Sequence, residues 1–179
     1  MTSSQCSERR GESVGTCASG FGTCCCFIYK PESTLMTYSL TEKVSYLQNP
    51  SFPEAADNSV VQMIRLIRTN KNIHQIRLDF LDFRMDGGTA IDKPCNRDKF
   101  IIGGKGGKIL KVGALCGNNK GQHLYIPAEK SEKEVATIRL EIGGLVKDRS
   151  RWNIRVTQVT LSLTILEISC ILEISCILL

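Results

Sequence analysis

The sequence has little of what acid–base and nucleophilic chemistry needs. Its 179 residues hold two histidines, His74 and His123. A Ser-His-Asp enzyme requires a histidine beside an activated serine. His74 sits in an alternating strand pattern on the side of Ile76 and Leu78, which reads as a core or edge histidine. His123 follows the turn GNNKGQ and reads as exposed. Aromatic residues make up 6% of the chain, and the +5 net charge is scattered. Lysines and arginines alternate with carboxylates such as Asp79, Asp82 and Asp86, and no aromatic-studded basic strand stands out, which excludes a nucleic-acid partner. The start, MTSSQCSERRGESVG, has no apolar run of the signal-peptide type, and no N-x-[ST] acceptor occurs anywhere in the chain. A phosphate loop is missing too. In GGKGGKILK the glycines Gly103 and Gly107 are one residue too close, and Ile109 stands where a magnesium-binding hydroxyl belongs. That stretch reads as a hairpin turn.

Cysteine is abundant: nine residues, four of them within Cys17–Cys26. Structural zinc sites use paired C-x₂₋₄-C spacings, and Cys17-x₆-Cys24-Cys25-Cys26 offers none. A redox C-x-x-C is absent as well. Disulfides remain, and the odd count leaves at least one thiol without a partner inside the chain.

Three zones follow from composition. Residues 1–43 are turn-rich and carry five cysteines. Residues 44–159 alternate with period two. In IHQIRLDF, Ile76, Leu78 and Phe80 share one side. In ATIRLEI it is Ala136, Ile138, Leu140 and Ile142, and in WNIRVTQV it is Trp152, Ile154 and Val156. Such alternation marks strands with one buried face. With turn residues between them and no long helical pattern, the reading is all-β: an antiparallel β-sandwich behind an irregular cysteine-rich segment. SVVQMIRLIRTN is ambiguous between strand and short helix. Cys95 and Cys116 flank two expected strands, 98–103 and 108–115, joined by GGKGG, and a hairpin of that kind can close one S–S bond across its ends. Residues 160–179 repeat ILEISC, with Glu167 and Glu173 inside an apolar run. Buried charge argues against a membrane anchor, and a perfect short repeat suggests a gene-model artefact or a local duplication.

From Cys6 to about Val159 the chain resembles the secreted CUB domain proteins of arthropods, in which a cysteine-rich lead-in precedes one CUB sandwich of jelly-roll type. GTCASGFGTCC resembles that lead-in, and YLQNPSFP the N-P-x-[YF]-P opening of the domain. HQIRLDFLDF, Cys95 with NRDKFIIGG, LCGNNKGQHLYI and RWNIRVTQV follow in the family order. The resemblance implies export, with the signal peptide missing from a truncated N-terminus. It implies a Cys95–Cys116 bridge and makes Cys6, Cys17, Cys24 and Cys25 disulfide partners, leaving Cys26 as the odd thiol. The family's other domain disulfide has no counterpart, because its leading cysteine falls at Val44. Some family members bind calcium through acidic residues. Asp98 matches one such position and Asp86 lies near another, so calcium is the one cofactor the resemblance raises.

The expected function is a non-catalytic extracellular module that binds a protein or glycan partner. Its binding candidates are the loops FRMDGGTAIDKP and GNNKGQH, with Asp86, Gly87, Asn118, Asn119 and His123, since loops on a rigid sandwich commonly carry recognition. The alternatives are a CUB segment cut from a larger secreted enzyme, such as a protease, and an intracellular metal or redox protein.

Overall fold

The computed structural model describes residues 1–31, 37–56, 59–87, 95–104, 109–129, 133–143 and 150–160. The expectations for residues 88–94 of the first loop, for the Lys105–Gly107 turn and for the tail from residue 161 fall outside these. Among the described residues no helix is long and apolar enough to cross a membrane.

A short helix, α1 (Ser3–Glu8), opens the chain. Its capping box is made by the Thr2 and Gln5 side chains. The hairpin β1 (Glu12–Cys17) and β2 (Gly22–Cys26) forms a two-stranded sheet of its own. The cysteine-rich segment is therefore ordered locally. Successive side chains on β2 point to opposite sides, so Cys25 reaches Cys6 of α1 and forms a disulfide with it. Gly11 leaves the space for that bridge, because a Cβ there would stand 2.2 Å from the Cys25 sulfur.

Two expectations in this segment are corrected. Cys17 keeps a free thiol. It closes the ladder opposite Gly22, which has no sulfur to offer, and its Sγ rests against that glycine. Cys26 is not the odd thiol: it is buried and disulfide-bonded. Cys24 enters neither the Cys6–Cys25 nor the Cys95–Cys116 bridge.

The remaining strands form a sandwich. One sheet contains β3 (Ile28–Tyr29), β5 (Val44–Gln48), β13 (Arg151–Thr160) and β7 (Ile73–Met85), with β10 (Gly117–Asn118) and β11 (His123–Pro127) end to end along the outer edge of β7. The other runs β4 (Thr37–Leu40), β6 (Val60–Ile67), β12 (Glu134–Ile142), β8 (Lys99–Gly103) and β9 (Ile109–Leu115). SVVQMIRLIRTN resolves as a strand. β6 pairs with β12 over eight positions, and long-range pairing decides what local spacing leaves open. Two pairings depart from the antiparallel rule. β3 lies parallel to β5, and β4 parallel to β6. Both begin within residues 1–43, so part of the lead-in is built into the sandwich.

The core is the inward row of each strand. Ile76, Leu78, Phe80, Phe83, Trp152, Ile154 and Val156 meet Ile64, Leu66, Phe100, Ile102, Ile138 and Leu140. Phe80, Phe83 and Phe100 form a triad with ring centroids 4.7, 5.8 and 5.6 Å apart, crossing at tilted to edge-on angles that aromatic quadrupoles favour. Buried polar groups tie the ends together. The Asn49 Oδ1 accepts from the Trp152 N–H, while its Nδ2 donates to Ser51 Oγ and to the Glu54 carbonyl, fixing the turn after β5. Gln158 donates to the Glu42 and Ile67 carbonyls and accepts from Thr69, joining the ends of both sheets.

The lead-in docks on the sandwich through charge. Arg9 pairs with the largely buried Glu42 and stacks over Phe27. Tyr29 lies in this junction. Burial, and then the negative charge of Glu42, raises its phenol pKa above the ordinary 10.0. Unfolded, Tyr29 ionises near pH 10, whereas folded it holds its proton longer. Above that pH the unfolded chain therefore binds fewer protons, and stability falls as pH rises. Tyr29→Phe removes this share. Its urea midpoint is expected to fall less than the wild-type midpoint as pH rises above about 10, the ordinary tyrosine value.

Candidate binding surface

The expected loops meet at one end of the sandwich, where β7 runs out into Asp86 and Gly87. Cys95 and Cys116 are joined by a disulfide, with Cα atoms 5.4 Å apart and a sequence separation of 21. It closes the ends of the β8–β9 hairpin as the spacing anticipates. Gly87 passes beside this bridge so closely that a Cβ would lie 3.0 Å from the Cys116 sulfur, and its carbonyl accepts from the Asn96 N–H.

The two acidic residues come together here. The Asp86 carbonyl accepts from the Asp98 N–H at 3.0 Å. The Asp86 N–H donates to Ser150 Oγ at 3.0 Å, and Ser150 donates its own proton to Asp98 Oδ2. Asp98 Oδ1 accepts from the Gly143 N–H at 2.8 Å, and the residue is 5% exposed. Asp86 Oδ2 accepts from Arg97 at 2.9 Å. Calcium wants six to eight oxygens with lone pairs turned inward. In this arrangement both Asp98 oxygens face proton donors and Asp86 faces a guanidinium. Among the described residues no group of three or more potential ligands forms. As placed here, Asp98 and Asp86 spend lone pairs on protein donors and act as braces that fix the loop end.

The GNNKGQH segment is equally fixed. The Asn119 N–H donates to the Phe83 carbonyl, the Gly121 N–H to the Phe80 carbonyl, and the Phe80 N–H to the Gln122 carbonyl. Gly121 turns at φ +82°, in the left-handed region that favours glycine. Asn118, Lys120 and His123 remain exposed, while Asn119 is half-buried with its Nδ2 on the Cys116 carbonyl. Asp86, Gly87, Asn118 and Asn119 thus share one end of the sheet with the Cys95–Cys116 bridge, while His123 lies further along the edge of β7, opposite Asp79.

His74 is half-buried at the start of β7 and lends its carbonyl to the Ala128 N–H. The sequence reading finds no nucleophile elbow, although Gly11–Gly15 spells G-x-S-x-G. Its serine, however, sits within β1 opposite Cys25, not at a strand-to-helix elbow, so the letters lack the geometry that activates such a serine.

The sandwich and its braced loops define a class of protein. The chain has the CUB-like all-β sandwich fold, shown by its likeness to the CUB1-EGF-CUB2 domains of rat MASP-1: TM-score 0.55 at 12% identity, over 71% of this chain and 44% of that one. The chain thus spans less than half of that structure. A MASP-1 CUB2 domain bound to Ca²⁺ (TM-score 0.47, 16% identity, 67% of this chain and 96% of that one) and the extracellular region of zebrafish Gpr126/Adgrg6 (TM-score 0.47, 17% identity, 72% and 15%) are also similar. No family model matches the sequence, and no curated protein does.

Removing the bridge at this end has a definite cost. In the chain-entropy account a loop of this size contributes roughly 3 kcal/mol. Cys95→Ser with Cys116→Ser is expected to lower unfolding free energy by about 2–4 kcal/mol in urea titrations, with the slope m changing as the unfolded chain expands.

Proposed function

We propose that the chain is a non-catalytic extracellular binding module that engages a protein or glycan partner through the end of the sandwich carrying Asp86, Gly87, Asn118 and Asn119, with His123 on the adjoining edge. The observation that carries this reading is the bracing. The segment is pinned by one disulfide, by the Asp98–Ser150–Asp86 chain of hydrogen bonds and by main-chain bonds to β7, yet it leaves Asn118, Lys120 and His123 exposed. A surface already fixed in one shape loses little entropy on binding. The Cys6–Cys25 and Cys95–Cys116 bridges support an oxidising compartment, where structural disulfides persist. This reading divides the chain into the lead-in (1–43), the sandwich (44–159) and an apolar tail (160–179) that is a gene-model artefact or local duplication, with the strands β3 and β4 of the lead-in completing the sandwich edges.

The test uses the purified, disulfide-bonded protein. Immobilised on a biosensor, it is screened against purified extracellular proteins and a glycan array, and the same sample is assayed with generic protease and glycosidase substrates. Saturable binding that is lost in Asn118→Ala/His123→Ala, without turnover, is the expected result. Turnover that titrates with the protein overturns it, as does binding untouched by the double variant.

A further inference from the structure

A second surface adjoins the loop end, with Arg84 opposite Asn118 and His123 on the edge shared by both. The outer face of the β3–β5–β13–β7–β11 sheet carries the side chains that alternate with its core rows. Along β7 these are Gln75, Arg77, Asp79, Asp82 and Arg84; along β13 they are Arg151, Asn153 and Arg155; along β11, His123 and Tyr125. Four arginines therefore face two aspartates in the two central strands. Arg84 and Arg151 stand directly opposite one another; Arg151 pairs with Asp82 at 2.8 Å, and Arg84 is exposed beside it.

The arginines are held in place. Asp79, 8% exposed, takes the Arg77 Nε at 2.7 Å on one oxygen and the Arg155 guanidinium at 3.2 and 3.3 Å on the other. Arg77 then donates to the Tyr125 hydroxyl at 2.9 Å and lies over its ring at 5.4 Å. The His123 and Tyr125 rings meet edge-to-face at 5.6 Å. Tyr125 is nonetheless 47% exposed. One buried carboxylate thus fixes two guanidiniums and an aromatic ring, and a net positive charge remains on the outside.

We propose that this face docks an acidic segment of a partner protein, with carboxylates on the Arg84, Arg151 and Arg155 guanidiniums and an apolar side chain against Tyr125. Guanidiniums suit carboxylates, and arginine with tyrosine is the composition of interface hot spots. Asp79 preorganises Arg155 and, through Arg77, the Tyr125 ring, which spares the entropy of ordering them on binding. The face favours a protein over a sulfated glycan because Asp79 and Asp82 cancel half of its charge and an exposed ring stands at its edge. A polyanion gains least from such a surface.

The probe is a fluorescein-labelled peptide of alternating glutamate and leucine, titrated by anisotropy into the full chain at low and at physiological salt. It is expected to bind, more weakly at higher salt. The Arg84→Glu/Arg155→Gln variant is expected to bind about tenfold more weakly. Tyr125→Ala is expected to lose affinity at both salt concentrations. Arg84 is exposed, so Arg84→Glu alone, checked by thermal melting, keeps the test valid if the double variant does not fold. Absence of saturable peptide binding overturns the proposal, and so does affinity unchanged in folded Arg84→Glu. A heparin fragment that outcompetes the peptide and loses its affinity in the same variants overturns it in favour of a glycan.

Discussion

Phe83→Ala is expected to lower unfolding free energy by about 3–5 kcal/mol, the range measured for buried phenylalanine truncations. Phe83 is fully buried on β7 and touches both Phe80 and Phe100, one from its own sheet and one from the other. Truncation removes the transfer free energy of the ring, leaves a cavity between two sheets that cannot close independently, and cancels two aromatic contacts of about 0.5–1.5 kcal/mol each. Domains of this size are stable by about 5–15 kcal/mol, so the loss is a large share of the whole. A urea titration followed by Trp152 fluorescence reads it directly. Phe83→Leu, which keeps much of the volume, is expected to cost less than half as much. Equal losses in the two variants would mean that ring geometry, not volume, holds the sheets together.

The second large effect belongs to a polar residue. Asp98→Ala takes the acceptor from the Gly143 N–H and the Ser150 hydroxyl, both of which now give their protons to its carboxylate. Ser150 is buried, and a buried donor left without an acceptor costs about 1–3 kcal/mol, which is the loss expected; Gly143 is exposed, so water takes over its N–H. The damage has an address. Ser150 also receives the Asp86 N–H, so the end of β7 loosens along with the loop. Hydrogen exchange should show faster opening at Asp86 and Gly143, while amides in the middle of β12 open only with the whole domain. Asp98→Asn keeps one acceptor for Gly143 but leaves the Ser150 hydroxyl proton without its carboxylate, and falls between wild type and alanine. If Asp98→Ala matched wild type in stability, the bracing argument for the loop end would fail with it.

Much of this architecture is legible in the chain. The alternation in IHQIRLDF, ATIRLEI and WNIRVTQV appears as β7, β12 and β13, with the expected residues inward. The Cys95–Cys116 pair follows from a hairpin whose two strands are both visible in sequence. The cysteine cluster is less legible. Strand alternation decides which of Cys24, Cys25 and Cys26 can reach Cys6, and the alternation depends on where β2 starts, which no periodicity reveals.

The sites divide the same way. Asp86 and Asp98 stand out as acidic residues, but their partners are Ser150, Gly143 and Arg97, of which only Arg97 is near in sequence. Whether a carboxylate offers its lone pairs to a cation or spends them on donors is settled by what folding places opposite it. The outer face is more hidden still. Arg77, Asp79, Tyr125 and Arg155 look like scattered solvated charge until β11, β7 and β13 lie side by side and put His123, Asp79 and Arg155 in one row.

By itself, then, the sequence determined the class of fold, because period-two burial is a local property that survives in any pairing. It also determined the hairpin bridge, because a short loop limits how far its ends can separate. The tertiary structure alone decided the parallel edge strands, the fate of each lead-in cysteine and the grouping of arginines around Asp79. These depend on the register between strands distant in the chain, and a shift of one residue sends every side chain to the opposite face.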